Sequence, residues 1–203
     1  VIDEHESAHG STVIFHSDMG QAPLYLSPQV HGLGVDIASI DSGKLYGPRG
    51  IGCVYVHNRV ELASIIVGGG QERGLRAGTE NVALAAGFAK ALSIISGEKH
   101  VETKRIKILR DDLAERIVAH IPQAVINGDL KHALPHMLNI SIPNISSEYV
   151  TLQLDHAGIA ISTKSACREG AESRSHVVAA LSKDDWRAQN TLRFSLGKET
   201  TAQ

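Results

Sequence analysis

Three short runs of apolar and β-branched residues constrain the first half of the chain most. They are Thr12-Val13-Ile14-Phe15-His16, Val35-Asp36-Ile37-Ala38-Ser39-Ile40 and Ile51-Gly52-Cys53-Val54-Tyr55-Val56. Near-continuous apolar runs of this length read as strands buried on both faces, as in an α/β sheet covered by helices. Only the ten residues Asp41 to Gly50 join the second run to the third. That is short for a crossover helix, which predicts an antiparallel pair inside a mixed, mostly parallel sheet. On this reading Cys53 is a buried core thiol.

Helical signals surround these runs. The chain opens without Met on Val1-Ile2-Asp3-Glu4-His5, which reads as the middle of a helix that Gly10 ends, so further residues are expected upstream. Thr79-Glu80 supplies a hydroxyl cap and an acidic first turn for a helix running to about Ile95, and Gly97-Glu98 marks a break. Beyond it Ile106, Leu109, Leu113, Ile117 and Ile121 recur at helical spacing until Pro122. A domain boundary is therefore placed near residue 96, dividing the chain into 1–96 and 97–203. The remainder reads as α+β, with strands at Ala124–Asn127, Met137–Ile142 and Thr191–Leu196 and helices near Ser147–His156 and Arg174–Leu181. In the last strand Leu192, Phe194 and Leu196 share one face, leaving Arg193 and Ser195 on the other.

Composition narrows the function classes. The 203 residues are 42% hydrophobic and 21% charged with a net charge of −2, a globular balance without a basic footprint for nucleic acid. No apolar run approaches the roughly 18 residues of a membrane span. Cys53 and Cys167 are too far apart for a metal knuckle and too few for a disulfide framework, and no secretory signal is read. A soluble, cytoplasmic protein is expected. His5-Glu6-Ser7-Ala8-His9 matches a short zinc-hydrolase motif. Its extended form needs a later glycine and a third histidine where Phe15 stands, so no metal site is assigned. The glycines at 47–52 and 68–78 do not follow a strand and open a helix as nucleotide-binding loops do, and tight turns account for them.

Two residues stand where open α/β sheets bind ligands, outside the carboxyl ends of strands. Asp18 follows the first run, and Lys44 lies four residues past the second. Alone, either reads as a helix cap or a solvated lysine. Together they meet the needs of pyridoxal phosphate chemistry. A lysine forms the Schiff base, and an aspartate keeps the pyridine nitrogen protonated so that the ring is an electron sink.

The surrounding stretches, Phe15-His16-Ser17-Asp18-Met19-Gly20-Gln21 and Lys44-Leu45-Tyr46-Gly47-Pro48-Arg49-Gly50-Ile51-Gly52, resemble the cofactor-binding region of cysteine desulfurases in the class V aminotransferase family. The resemblance continues through Gly68-Gly69-Gly70-Gln71-Glu72-Arg73-Gly74-Leu75-Arg76-Ala77-Gly78-Thr79. It resumes at Asn127-Gly128-Asp129, Leu138-Asn139-Ile140-Ser141, Ser165-Ala166-Cys167 and Leu192-Arg193-Phe194-Ser195-Leu196-Gly197. It implies a fold-type-I architecture: part of a large pyridoxal-phosphate-binding α/β domain over 1–96, then a smaller α+β C-terminal domain over 97–203. The upstream half of the family's large domain, with its Gly-Thr phosphate loop, a ring-stacking His and an Asn near the ring hydroxyl, has no counterpart here.

The resemblance also implies roles. Lys44 resembles the Schiff-base lysine, Asp18 the partner of the pyridinium nitrogen, and Gln21 the donor to the ring hydroxyl. Thr79 resembles the residue that reaches the phosphate of a neighbouring subunit, implying a homodimer with shared sites. Arg193 resembles the arginine that grips the substrate carboxylate, a task its fork of donors suits. Cys167 resembles the nucleophile. Its flanks from Lys164 to Arg174 are charged, polar and Gly-containing, as in an exposed mobile loop, and Lys164 and Arg168 favour the thiolate. Two positions depart from the family pattern. Gly43 stands where a His precedes the lysine, and Asp41 where a Ser or Thr binds phosphate. Ser42 is the candidate to replace that hydroxyl, and a carboxylate at 41 has to point away from a phosphate, be neutralised, or weaken cofactor binding.

The implied activity is conversion of L-cysteine to L-alanine, with the sulfur held as a persulfide on Cys167. An acceptor protein, such as an iron–sulfur scaffold or a tRNA-thiolating enzyme, would take it. No direct contact with nucleic acid or membrane is expected. The alternatives are a selenocysteine lyase or transaminase of the same fold, or a non-catalytic remnant that dimerises or docks a sulfur acceptor.

Overall fold

The computed structural model describes residues 2–163 and 174–202. By its internal contacts the chain divides into two units, Val1–His100 and Val101–Gln203. No helix among the described residues is long and apolar enough to cross a membrane.

The first unit opens with α1 (Ile2–His9), ended by Gly10 at a φ of +64°. Its sheet runs β1 (His16–Asp18), β2 (Ile37–Asp41) and β3 (Gly52–Val56), in that spatial order. β1 and β2 are parallel, whereas β2 and β3 are antiparallel, as the short connection between them requires. A short helix α2 (Val30–Leu33) lies in the β1–β2 connection. Met19, Val35 and Ala38 are buried together, with Tyr55 and Ile40 packed on them.

Two expectations fail in this unit. The first strand begins at His16 rather than Thr12, because side chains take the backbone donors that a ladder would use. Glu6 Oε1 accepts from Val13 N–H at 2.7 Å, and Asp36 Oδ2 accepts from Phe15 N–H at 2.9 Å. Asp36 is itself gripped by Arg59, whose Nε and Nη2 lie 2.6 and 2.7 Å from its two oxygens. Cys53 is also not a core thiol. It is exposed, as is Val54 on the opposite face, because β3 pairs with β2 alone among the described strands and neither of its faces is covered at that point.

The long helix α3 (Val82–His120) corrects the reading of the middle of the chain. It does not break at Gly97. An interior glycine costs only about 1 kcal/mol relative to alanine, too little to end a helix flanked by Ala, Leu, Ile, Glu and Lys. Nor does Thr79 cap it. Asn81 does, its Oδ1 accepting from Leu84 N–H at 3.0 Å, and the helix starts at Val82.

The second unit holds an antiparallel sheet in the order β4 (Val125–Ile126), β5 (Met137–Ser141) and β6 (Thr191–Ser195). Among the described residues three helices accompany it: α4 (Ser147–His156), α5 (His176–Leu181) and α6 (Asp185–Gln189), of which α6 carries no clear sequence signal. Ser146 and Ser175 cap α4 and α5 through their hydroxyls. Leu138, Ile140 and Leu192 are almost wholly buried and form a core with Ala114, Ala124 and Ile142. Complete burial of each such side chain is worth about 1.5–3 kcal/mol.

Candidate functional site

Parallel pairing brings the carboxyl ends of β1 and β2 to the same edge of the first sheet, with Asp18 opposite Ser39. Asp18 is the last residue of β1, and a 3-10 turn, Ser42–Leu45, follows β2 directly. Leu45 is fully buried and anchors that turn, whereas the adjacent Lys44 is exposed. Between the two strand ends lies Gly20, buried, whose N–H donates to Asp18 Oδ1 at 2.9 Å. A Cβ at Gly20 would stand 3.1 Å from Asp18 Oδ1 and 3.2 Å from both Cδ and Nζ of Lys44. A carboxylate and a primary amine therefore converge on a spot that only glycine leaves clear.

The rest of the turn is built from Ser42 and Asp41. Ser42 is fully buried, and its Oγ has no hydrogen-bond partner among the described residues. Gly47 closes over it: its N–H donates to Ser42 O at 3.0 Å, and a Cβ there would come within 2.3 Å of Oγ. Asp41 turns its carboxylate onto the backbone, with Oδ1 accepting from Gly43 N–H at 2.9 Å, and so caps the turn that carries Lys44. Gln21 is half-buried at the start of the next 3-10 turn, Ala22–Leu24. Thr79 is exposed in the loop before α3.

Arg193 belongs to the second unit, on β6. Its backbone exchanges two hydrogen bonds with Ser162, at 2.6 and 3.1 Å, on the side away from β5. Its Nε is buried with no hydrogen-bond partner among the described residues. Cys167 falls in 164–173, outside the described residues. In α1 the His5 and His9 rings stack at 4.3 Å, and Glu6 is occupied by Val13 N–H and by Arg59 at 3.7 Å. No group of three His, Cys, Asp or Glu among the described residues could hold a metal.

Sequence reasoning missed a buried polar network beside Arg193. Arg187 on α6 donates from Nε and Nη2 to Asn127 Oδ1, at 3.0 and 2.6 Å. Asn127 Nδ2 donates to Asn139 Oδ1 at 2.6 Å and to Ser141 Oγ at 2.7 Å, and Ser141 Oγ donates to Arg187 O at 2.7 Å. Thr191 Oγ1 donates to Asn139 Oδ1 at 2.8 Å. The available signal was alternation in Leu138-Asn139-Ile140-Ser141, which puts polar side chains on the face opposite the core. Nearby, burial of His136 pushes its imidazole pKa down to about 4.

Comparisons with known proteins agree with this architecture. Residues 3–203 match the family described as aminotransferase class-V. A cysteine desulfurase of Bradyrhizobium diazoefficiens is 36% identical over 188 residues, covering 93% of this chain and 48% of that protein. A cysteine desulfurase IscS of Clostridium botulinum is 37% identical over 193 residues, covering 94% of this chain and 49% of that protein. Among solved structures, a NifS-like protein superposes with a TM-score of 0.83 at 33% identity, covering 97% of this chain and 50% of that one. The chain spans about half the length of the curated relatives it matches.

Proposed function

The chain belongs to the aminotransferase class-V family, and from that premise we propose that it carries the chemistry of a pyridoxal-phosphate-dependent cysteine desulfurase. The observation that carries the reading is the convergence of Lys44 Nζ and Asp18 Oδ1 on the space beside Gly20. An amine and a carboxylate gathered beside one glycine at the carboxyl ends of two parallel strands fit a cofactor that presents an aldehyde and a basic ring nitrogen. The names of the relatives support the choice of cysteine as substrate.

When bound, pyridoxal phosphate supplies an electron sink for the substrate carbon that bears the amino group. Lys44 Nζ would hold the cofactor at its aldehyde and would be the base that takes and returns the proton on the substrate carbon bearing the amino group. Asp18 keeps a proton on the ring nitrogen. Gln21 is the polar group offered to the ring hydroxyl, and Ser42, whose Oγ lies buried beneath Gly47, would reach a phosphate only if that turn opened. Thr79 serves the phosphate of a second copy, which makes the working form a homodimer. Arg193 forks the α-carboxylate. Cys167 thiolate would attack the substrate sulfur: an S–S bond forms as the Cβ–S bond breaks, the electron pair stays with Cβ and takes up a proton there, and with its α proton returned by Lys44 the remainder leaves as alanine. The persulfide on Cys167 awaits an acceptor protein in the cytoplasm.

The test compares the two cysteines in the holoenzyme. Cys167→Ser should abolish persulfide formation and alanine release while the cofactor stays bound. Cys53→Ser, on the exposed strand β3, should keep both. A Cys167→Ser enzyme that still desulfurates cysteine would replace this reading with a lyase in which the substrate's own sulfur leaves unaided.

A further inference from the structure

Arg193 does not stand alone on its face of the second sheet. The β5–β6 register places Asn139 directly opposite it. Because Arg193 turns both backbone polar groups toward Ser162, and Asn139 O accepts from Asn127 N–H on the far side at 2.9 Å, the two are a non-hydrogen-bonded pair. Such pairs are the closest on an antiparallel sheet, with Cα atoms about 4.5 Å apart and side chains in reach of one another.

The orientation of the Asn139 amide follows from its anchors. Two guanidinium donors from Arg187 fix which end of Asn127 is the oxygen. Asn127 must then present N–H groups to its other neighbours, so the Asn139 atom that meets it is Oδ1. Thr191, diagonal to Asn139 and two pairs further along the sheet, donates to that same oxygen. Both anchors hold Oδ1 on the Thr191 side, so Nδ2 is turned the other way. It makes no hydrogen bond among the described residues. Beside it, Arg193 Nε is a buried donor with no partner among those residues, an arrangement that costs free energy until an acceptor arrives.

We propose that Asn139 is a second recognition residue for the substrate carboxylate, its Nδ2 and the Arg193 guanidinium forming one donor set that Arg187 and Asn127 hold in place. The proposal rests on the reading of Arg193 given above. A carboxylate has two oxygens and about four acceptor directions. Arg193 can satisfy both oxygens through its fork, and an amide N–H from the neighbouring strand adds a third bond that fixes the carboxylate's rotation. A ligand without a carboxylate gains nothing from either residue.

The experiment measures equilibrium binding of L-cysteine and of cysteamine, its analogue without the carboxylate, to the holoenzyme carrying Cys167→Ser, which does not turn cysteine over, by the change in cofactor absorbance. A hydrogen bond to a charged group is worth enough for a tenfold effect. Asn139→Ala should therefore weaken L-cysteine at least about tenfold more than cysteamine. Asn139→Asp keeps the oxygen that Asn127 and Thr191 anchor but puts a negative charge in place of Nδ2, so its discrimination should be lost further still. Equal losses for both ligands, or no loss, would overturn the proposal and leave Asn139 a structural residue. Arg193→Lys separates the two readings. If it shifts the cysteine-to-cysteamine ratio and the Asn139 variants do not, only the present inference falls. If it leaves the ratio untouched, the assignment of Arg193 falls and takes this one with it.

Discussion

The two three-stranded sheets place their polar side chains by opposite means. In the first unit Asp18 and Lys44 sit at strand ends, exposed, and meet because parallel pairing brings two carboxyl ends to one edge. In the second, Asn127, Asn139, Ser141 and Thr191 along the sheet and Arg187 on α6, wholly or partly buried, position one another through their own hydrogen bonds. The first arrangement is set by backbone topology and leaves the side chains free to act. The second ties the identity of each residue to the stability of the rest, since a buried polar group that loses its partner costs about 1–3 kcal/mol.

The largest expected contrast is at Lys44. Lys44→Ala should eliminate borohydride-fixable pyridoxyl label on its peptide while leaving the melting temperature of the cofactor-free protein unchanged, because the exposed side chain is not part of the packing. A large drop in melting temperature would show that the strand-end groups are also structural.

Next comes the core of the second unit. Leu138 is fully buried opposite the polar face, so Leu138→Ala should cost about 2–5 kcal/mol in urea unfolding. Val54→Ala on the exposed strand β3 should stay within about 0.5 kcal/mol. Similar values would mean that β3 is covered in the working protein.

A smaller effect tests the turn that carries Lys44. Gly47→Ala forces a methyl toward Ser42 Oγ and should destabilise by about 1–3 kcal/mol. Combining it with Ser42→Gly should recover most of that loss, and a double mutant no better than Gly47→Ala would remove the clash as the cause.

Acid should divide the units most gently. His136 is held neutral, its pKa lowered by burial to about 4 from an ordinary 6.5. The unfolded chain therefore binds the extra proton first, and the stability this group lends, complete above about 6.5, falls away as pH drops toward 4. Asp36 is held ionised to about 2 by hydrogen bonds from Arg59 and then from the Phe15 N–H, against an ordinary 3.8. Its contribution is complete above about 3.8 and is lost as pH falls toward 2. Trp186, the single tryptophan, lies in α6 and reports the second unit. Its fluorescence-detected stability should begin to decline below pH 6.5 and do so less in His136→Gln, while Asp36→Asn, in the first unit, should flatten only the lower window of the transition followed by far-ultraviolet circular dichroism. A first decline below pH 4 would refute the assignment to His136.

How much of this was legible in the sequence depends on which forces decide each feature. The antiparallel β2–β3 pair was legible because connection length alone settles it, and the faces of β6 because alternation does: Leu192 is buried and Ser195 exposed. Asp18 and Lys44 were legible as strand-end residues, although their convergence on Gly20 needed coordinates. The start of β1 was not, since its backbone donors go to Glu6 and to Asp36, a residue 21 positions away from Phe15. Nor was the exposure of Cys53. An apolar run states that a strand can be covered, and only tertiary structure states whether it is. The polar network was hidden for the same reason, because Arg187 and Asn127 are 60 residues apart and nothing local links them.

Parallel pairing of β1 and β2 has a last consequence, for insertion and rewiring. The register His16 to Ile37 and Asp18 to Ser39 is fixed by the ladder, so the path the chain takes between the strands does not enter the spacing of Asp18 and Lys44. That path includes an exposed stretch, His31 to Gly34, with Gly34 in the left-handed conformation at the end of α2. Extra residues added there extend a loop whose closure cost rises by only about 0.6 kcal/mol per doubling. The connection could take on a peptide tag, a longer helix or even a small inserted domain, and the amine and the carboxylate would still face each other across the same glycine.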